Sequence, residues 1–259
     1  MVDAPSAPAA PPLLPLFYKQ PRPLDAKTHG HSRLKDNANF DFARGANSVP
    51  INGIEFSVAQ RHYPIVFTGT GKPYPAAVLG LRVDQNLFVG ADGRWVEGIY
   101  VPAYVRRYPF VFIEAPEDKL ILAIDEGSGL LVDDGPHKLF DDAGKPTPLV
   151  NGALQFCGAY QANFRQTLEF VDSVVQHDLL VDNRADAVLA GGERLTLGGF
   201  KVIDEERFKK LPEAVLKTWR DRGWLAWVYA HFFSLGGWNG LAAIASKRPP
   251  AVEVVARGN

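Results

Sequence analysis

From Phe40 to about Leu149 the apolar positions come in short β-branched and aromatic runs, broken by Gly, Pro and Asp. That pattern predicts short strands joined by tight turns. Phe110–Ile113, Leu120–Ile124 and Leu87–Val89 are the predicted strands, and Asp92-Gly93 supplies a hairpin turn ahead of Trp95. Asp125–Gly129 and Asp141–Gly144 are further turns. Beyond Leu149 the period changes. Leu154, Cys157, Tyr160, Phe164, Leu168, Val171 and Val175 recur at three and four residues, the stripe of a long helix, with Arg165, Glu169, Asp172 and Gln176 on its wet face. Ala187–Val202 reads as a hairpin turning at Gly191-Gly192. Asp204 can cap a short helix that has Glu205 and Glu206 in its first turn. Pro212 opens the next helix and Gly223 ends it. Trp224–Phe233 is apolar nearly all round, which predicts a buried helix.

An echo runs through the first half. Arg61–Phe67 matches Arg106–Phe112 around a shared Tyr-Pro pair. Pro64 and Pro109 push Tyr63 and Tyr108 out of the α region, so each site should end a short helix (Glu55–Arg61, Pro102–Arg107) and start a strand. The expectation is a duplicated helix–strand–strand unit whose copies share one core. The predicted class is α+β: a β-rich half at 14–149 packed against an α-rich half at 150–246, in one domain spanning 14–246.

Seven of the 20 prolines fall in the first 23 residues. Residues 1–13 are therefore expected to form a disordered leader, with a docking arm through Leu13–Phe17 as the alternative, and residues 247–259 a flexible tail. The opening lacks the basic and apolar regions of a secretory signal, and no window approaches the ~20 apolar residues of a bilayer crossing. The formal net charge of -1 argues against a chain-wide grip on nucleic acid or anionic lipid. The single cysteine, Cys157, excludes an intrachain disulfide and a multi-cysteine metal site. A cytoplasmic protein without a cofactor is the expectation.

Catalytic motifs are sparse. Gly69–Lys72 lacks the phosphate-loop spacing, and Cys157 lies on an apolar stripe, where a thiol behaves as a small hydrophobe. His29 and His31 would share a face if they lay on a strand, but no third ligand accompanies them, so they are weak metal candidates. Tyr100, Tyr104, Arg106, Arg107 and Tyr108 combine flat rings with guanidinium forks that can stack on a sugar, a base or a peptide. Tyr63 and His231 complete the candidate binding set. In the plainer alternative the tyrosines pack in the core and the arginines pair with carboxylates such as Glu114.

An ordered set of segments carries a resemblance. Leu14–Lys19, Val49-Pro50 with Glu55-Phe56, Tyr63–Phe67, Leu79–Leu81, Asn86–Val89 and Tyr104–Phe110 form its first part. Ile124–Glu126, Leu139-Phe140, Gly199-Phe200, Val202–Asp204, Tyr229–His231 and Ser234-Leu235 extend it. Together they resemble the bacterial SapC-like family over nearly the whole chain, not the membrane permease of the same name. The resemblance implies an accessory or interaction protein without catalysis of its own, serving nutrient uptake beside TonB-dependent receptors and tryptophan-halogenase-like proteins. It carries over no catalytic residue. The alternatives are a cytoplasmic enzyme that modifies a peptide or sugar at an Arg/Tyr/His-lined pocket, and a surface-layer or export component.

Overall fold

The β-branched runs of the first half fold into short antiparallel strands, and the 3.6-residue period of the second half into helices, giving an α+β chain. The computed structural model describes residues 14–36, 39–69, 71–116 and 119–248. The predicted leader and most of the predicted tail lie outside those residues. In chain order the elements begin with β1 (Pro21–Pro23), α1 (Ala26–His29), β2 (Arg33–Leu34), β3 (Ser48–Pro50), α2 (Phe56–Ala59) and β4 (Ile65–Thr68). Next come β5 (Pro75–Val78), α3 (Ala103–Arg106), β6 (Phe110–Ala115), β7 (Lys119–Asp125), β8 (Leu131–Val132) and β9 (His137–Lys138). The second half holds α4 (Pro148–Gln176), β10 (Leu180–Val188), β11 (Arg194–Ile203), α5 (Glu205–Lys209), α6 (Glu213–Asp221), α7 (Trp224–Ser234) and α8 (Trp238–Ser246).

Among the described residues, one five-stranded sheet runs β10-β11-β4-β5-β3, and two three-stranded sheets run β1-β7-β6 and β8-β2-β9. The hairpin β10–β11, longer than predicted, joins β4 through Phe200↔Thr68 and Lys201↔Phe67, so the largest sheet stitches the two halves together. Both halves of the echo do form a short helix followed by a hairpin, and Ala103, Tyr104 and Val105 of α3 share the main core with the first copy, but the two hairpins lie in different sheets and different apolar clusters. Ile65 and Phe67 belong to the main apolar cluster, whereas Phe110 and Ile124 belong to a second one with Leu139, Val150 and Cys157. The reason is edge chemistry. β4 takes β11 on its free side and is buried at Ile65, Val66 and Phe67, while β6 stays at the edge of its own sheet.

Three further expectations need correction. Leu87–Val89 is a buried turn carrying one bridge, Val89↔Trp95, because the Asn86 side chain accepts from Phe88 N (2.9 Å) and folds the chain locally. In α4 the stripe shifts: Thr167, Phe170 and Val174 are buried, while Leu154 and Val175 are about half exposed. Thr167 goes inside because its Oγ1 donates to Asn163 O (2.7 Å) and accepts from Gly53 N (3.0 Å). Gly53 has no room for a side chain, since a Cβ there would lie 2.4 Å from the Trp227 ring. Helix α7 is not buried all round, as Phe233 is 70% and Tyr229 49% exposed. No helix of the described residues is long and apolar enough to cross a membrane. At the two ends, Phe17 packs on Phe42 and Tyr104, and Arg248 donates to Val89 O (2.7 Å).

The packing of α7 on the sheet turns on His231. Two positions beyond Lys201↔Phe67 the ladder between β4 and β11 would pair Ile203 with Ile65. The imidazole stands in that gap: Nε2 accepts from Ile203 N (3.1 Å), which leaves the proton on Nδ1 to reach Ile65 O (2.9 Å). Ser234 Oγ accepts from Ile65 N (2.9 Å) and donates to His231 O (2.6 Å). Burial depresses the His231 pKa to about 4, outweighing the hydrogen bond to Ile65. His231→Ala strands two backbone groups and opens a cavity, so urea denaturation should show a loss of about 3 kcal/mol or more. The neutral imidazole also sets a pH dependence. Its contribution is complete above the ordinary value near 6.5 and falls as pH drops toward 4, by about 3 kcal/mol at 1.4 per unit. The variant should lack that component of the profile.

Candidate functional site

The one-turn helix α3 gathers most of the predicted binding residues, and a buried carboxylate holds it in place. Pro102 precedes it and offers no capping side chain. Glu55 supplies the cap from the 3-10 turn Gly53–Glu55, where it also closes a capping box with Asn52. Its Oε1 accepts from Ala103 N (2.7 Å) and Tyr100 Oη (2.8 Å), and its Oε2 from Asn52 N (2.9 Å). Three donors satisfy a carboxylate that is only 5% exposed. Burial, reinforced by Glu55, pushes the Tyr100 hydroxyl up to about 12.

The two arginines leave the end of α3 in different directions. Arg106 is exposed; its Nε donates to Val101 O (3.0 Å), its Nη2 to Tyr100 Oη (3.1 Å), and its Cζ lies 5.1 Å from the centre of the Phe156 ring. Arg107 turns inward. Its Cζ is 4.1 Å from the Tyr104 ring centre, 4.5 Å from Tyr160 and 5.7 Å from Tyr18, a three-sided cage. No carboxylate pairs with it among the described residues, and its Nε is buried without a hydrogen-bond partner. The Glu114 pairing offered as the plainer alternative does not form: Glu114 lies exposed on β6. Arginine cannot shed its proton at ordinary pH, so the cage holds an uncompensated cation.

The hydroxyls around it are neutral. Burial raises the pKa values of Tyr18, Tyr104 and Tyr160, and the Arg107 charge offsets only part of each rise. Tyr18 Oη donates to Phe110 O (2.6 Å) and Tyr104 Oη to Leu16 O (3.2 Å). Tyr108, also raised by burial, stacks on Phe42 (4.2 Å between centres) and donates to Asp125 (3.0 Å). Asp125 in turn accepts from Gln20 N (2.6 Å), which fastens the N-terminal segment over the cage. Phe17 in that segment has φ +81°, a conformation bulky residues avoid, and its ring contacts with Phe42, Tyr104 and Tyr108 hold it there.

Three cavities adjoin α3. One of about 550 Å³ is lined by Arg106, Arg107, Tyr108, Phe110, Phe156 and Cys157, among others. One of about 760 Å³ is lined by Tyr74, Tyr104, Arg107, Val111, Tyr160, Phe164 and Leu168, among others. A third, about 260 Å³, holds Glu55, Tyr100, Arg106 and Phe156 in its wall. Arg107 is common to the first two. The structure thus brings together Tyr100, Tyr104, Arg106, Arg107 and Tyr108. Tyr63 touches Tyr100 from the core side but lines none of the three cavities, and neither does His231. The Tyr63 hydroxyl is locked in the core, donating to Tyr100 O and accepting from Trp95 Nε1 (3.2 Å). Both nitrogens of His231 are spent on backbone.

His29 and His31 are not on a strand: His29 ends α1 and is buried, whereas His31 is exposed. No group of three His, Cys, Asp or Glu that could hold a metal occurs among the described residues. Sequence reasoning missed Glu55, Tyr18 and Tyr160. Asn52-x-x-Glu55 was a readable capping-box signal, whereas Tyr160 on an apolar stripe looks like ordinary core. Chemically the cage is suited to hold an anion. It is poorly suited to move protons, because its hydroxyls stay protonated and its cation stays charged.

A family model described as SapC matches residues 24–241. No curated protein and no solved structure matches the chain.

Cys157 lines the first cavity, but burial raises its thiol to about 11, against the pull of Arg107. Alkylation at pH 8 should therefore run at least about 100-fold slower than for free cysteine and reach the free rate in denaturant. Rapid labelling of the folded chain would show a reactive thiolate instead.

Proposed function

The chain belongs to the SapC family, and from that premise we propose that it is a non-catalytic accessory protein that holds an anionic small molecule in the cavities around α3. In this reading it serves nutrient uptake in partnership with a TonB-dependent receptor or a tryptophan-halogenase-like protein. The observation that carries the reading is Arg107, a caged cation with no carboxylate partner at the junction of two cavities. Arg107 is partly buried, so its guanidinium gives up part of its hydration without gaining a carboxylate in return. An anionic guest supplies the missing half of the pair.

The protonation states favour holding over chemistry. In the cavity walls burial pushes the Cys157 thiol up to about 11 and the Tyr100 hydroxyl up to about 12, away from the neutral range where general acids and bases work best. Purification of the tagged full chain from its own host, followed by identification of co-eluting proteins, tests the proposal. A receptor-associated or halogenase-like protein should co-elute in stoichiometric amount, with recovery falling in Arg107→Gln. Elution with neither partner, or turnover of a peptide or sugar by the isolated chain, would overturn it.

A further inference from the structure

The largest of the three cavities differs from its neighbours in how its charge is arranged. Its wall is mainly apolar, formed by Tyr74, Val111, Phe164 and Leu168 among others. The other cation in the wall, Lys72, is already paired with Asp172 at 2.8 Å. That leaves Arg107 as the cation in this wall without a carboxylate partner among the described residues. The smaller cavity carries Arg106, Lys35 and His137 as well, so it does not present a single charge. We propose that the larger cavity binds a fatty-acid-like monocarboxylate, with the carboxylate on the guanidinium of Arg107 and the aliphatic tail along Val111, Phe164 and Leu168. This rests on the ligand-holding reading above and names the ligand's chemistry.

Charge balance selects the head group. One uncompensated cation in an apolar cavity is neutralised by a monoanion, whereas a dianion leaves a buried negative charge and an alcohol leaves the guanidinium as it was. Geometry agrees. The rings of Tyr104 and Tyr160 meet at 63° and both lie within cation–π reach of the guanidinium, which holds the charge in the cavity wall. The Nε is buried and lacks a partner, so the terminal amino groups of the guanidinium are the donors left for a charge-assisted bond to a carboxylate. The neutral tyrosine hydroxyls put no competing negative charge in the cage. A volume of about 760 Å³ is ample for a medium-length chain.

Isothermal titration of the full chain with decanoate, decanol, decyl phosphate and a short apolar peptide with a free C-terminus tests this, all below micelle-forming concentrations. Decanoate should bind at least about tenfold more tightly than each of the others. Arg107→Gln should weaken decanoate at least about tenfold while changing decanol by less than about twofold, which also reports that the cavity is intact. Leu168→Trp, which fills the tail wall and keeps the cation, should weaken decanoate by a similar factor. Equal binding of decanol, or decanoate binding indifferent to both substitutions, overturns the proposal. Arg107-dependent binding of decyl phosphate or the peptide in preference to decanoate overturns the fatty-acid class but keeps the ligand-holding reading. The absence of Arg107-dependent binding for all four probes removes both.

Discussion

Arg107 carries its charge into a corner where three separate stretches of chain meet. Tyr18 comes from the N-terminal segment, Tyr104 from α3 and Tyr160 from the middle of α4. Each ring is also tied elsewhere. Tyr18 bonds to Phe110 at the start of β6, Tyr104 to Leu16, and the backbone carbonyl of Tyr160 lies at 3.5 Å from the Asn52 side chain. The cage therefore joins the N-terminal segment to both halves of the fold. Cation–π contacts are worth roughly 0.5–2 kcal/mol each, so the three rings stabilise the partly buried guanidinium but do not neutralise its charge. The geometry is stable because the rings would pack there anyway. The charge is the part that packing does not explain.

The fully buried polar groups make the contrast. Glu55 has three donors, Asp125 accepts from Gln20 N, Tyr108 and others, and both nitrogens of His231 are bonded. Each acts as a rivet between segments distant in sequence: Glu55 positions α3, Asp125 anchors the strap before β1, and His231 fixes α7 across β4 and β11. In each the cost of burial is met by hydrogen bonds within the chain. Arg107 follows another pattern, and its place between two cavities gives that difference a chemical meaning.

Local signals in the sequence carried much of this. The hairpin at Gly191-Gly192, the Asp204 cap, the long helix and the two Tyr-Pro junctions all depend on near neighbours, and all form. What failed depended on distant partners. Leu87–Val89 has strand composition but no strand beside it, Thr167 is buried because Gly53 donates to it, and the two echoed units part because β11 claims the edge of β4. The binding residues on and beside α3 were legible as a run of rings and guanidinium groups from Tyr100 to Tyr108. Tyr18 and Tyr160 were not, since one lies far upstream and the other sits on a helix face that reads as core. Tyr63 and His231 carry the same chemistry, but core hydrogen bonds hold them out of the site.

The central claim is that the Arg107 charge is there for a guest. Native mass spectrometry of the full chain, purified from its own host without organic solvent, tests it most directly. The account predicts wild-type protein carrying a single small anionic guest that is lost on organic extraction, and Arg107→Gln protein at its bare mass. Wild type and Arg107→Gln carrying the same guest in equal amount, or wild type at its bare mass, would contradict it.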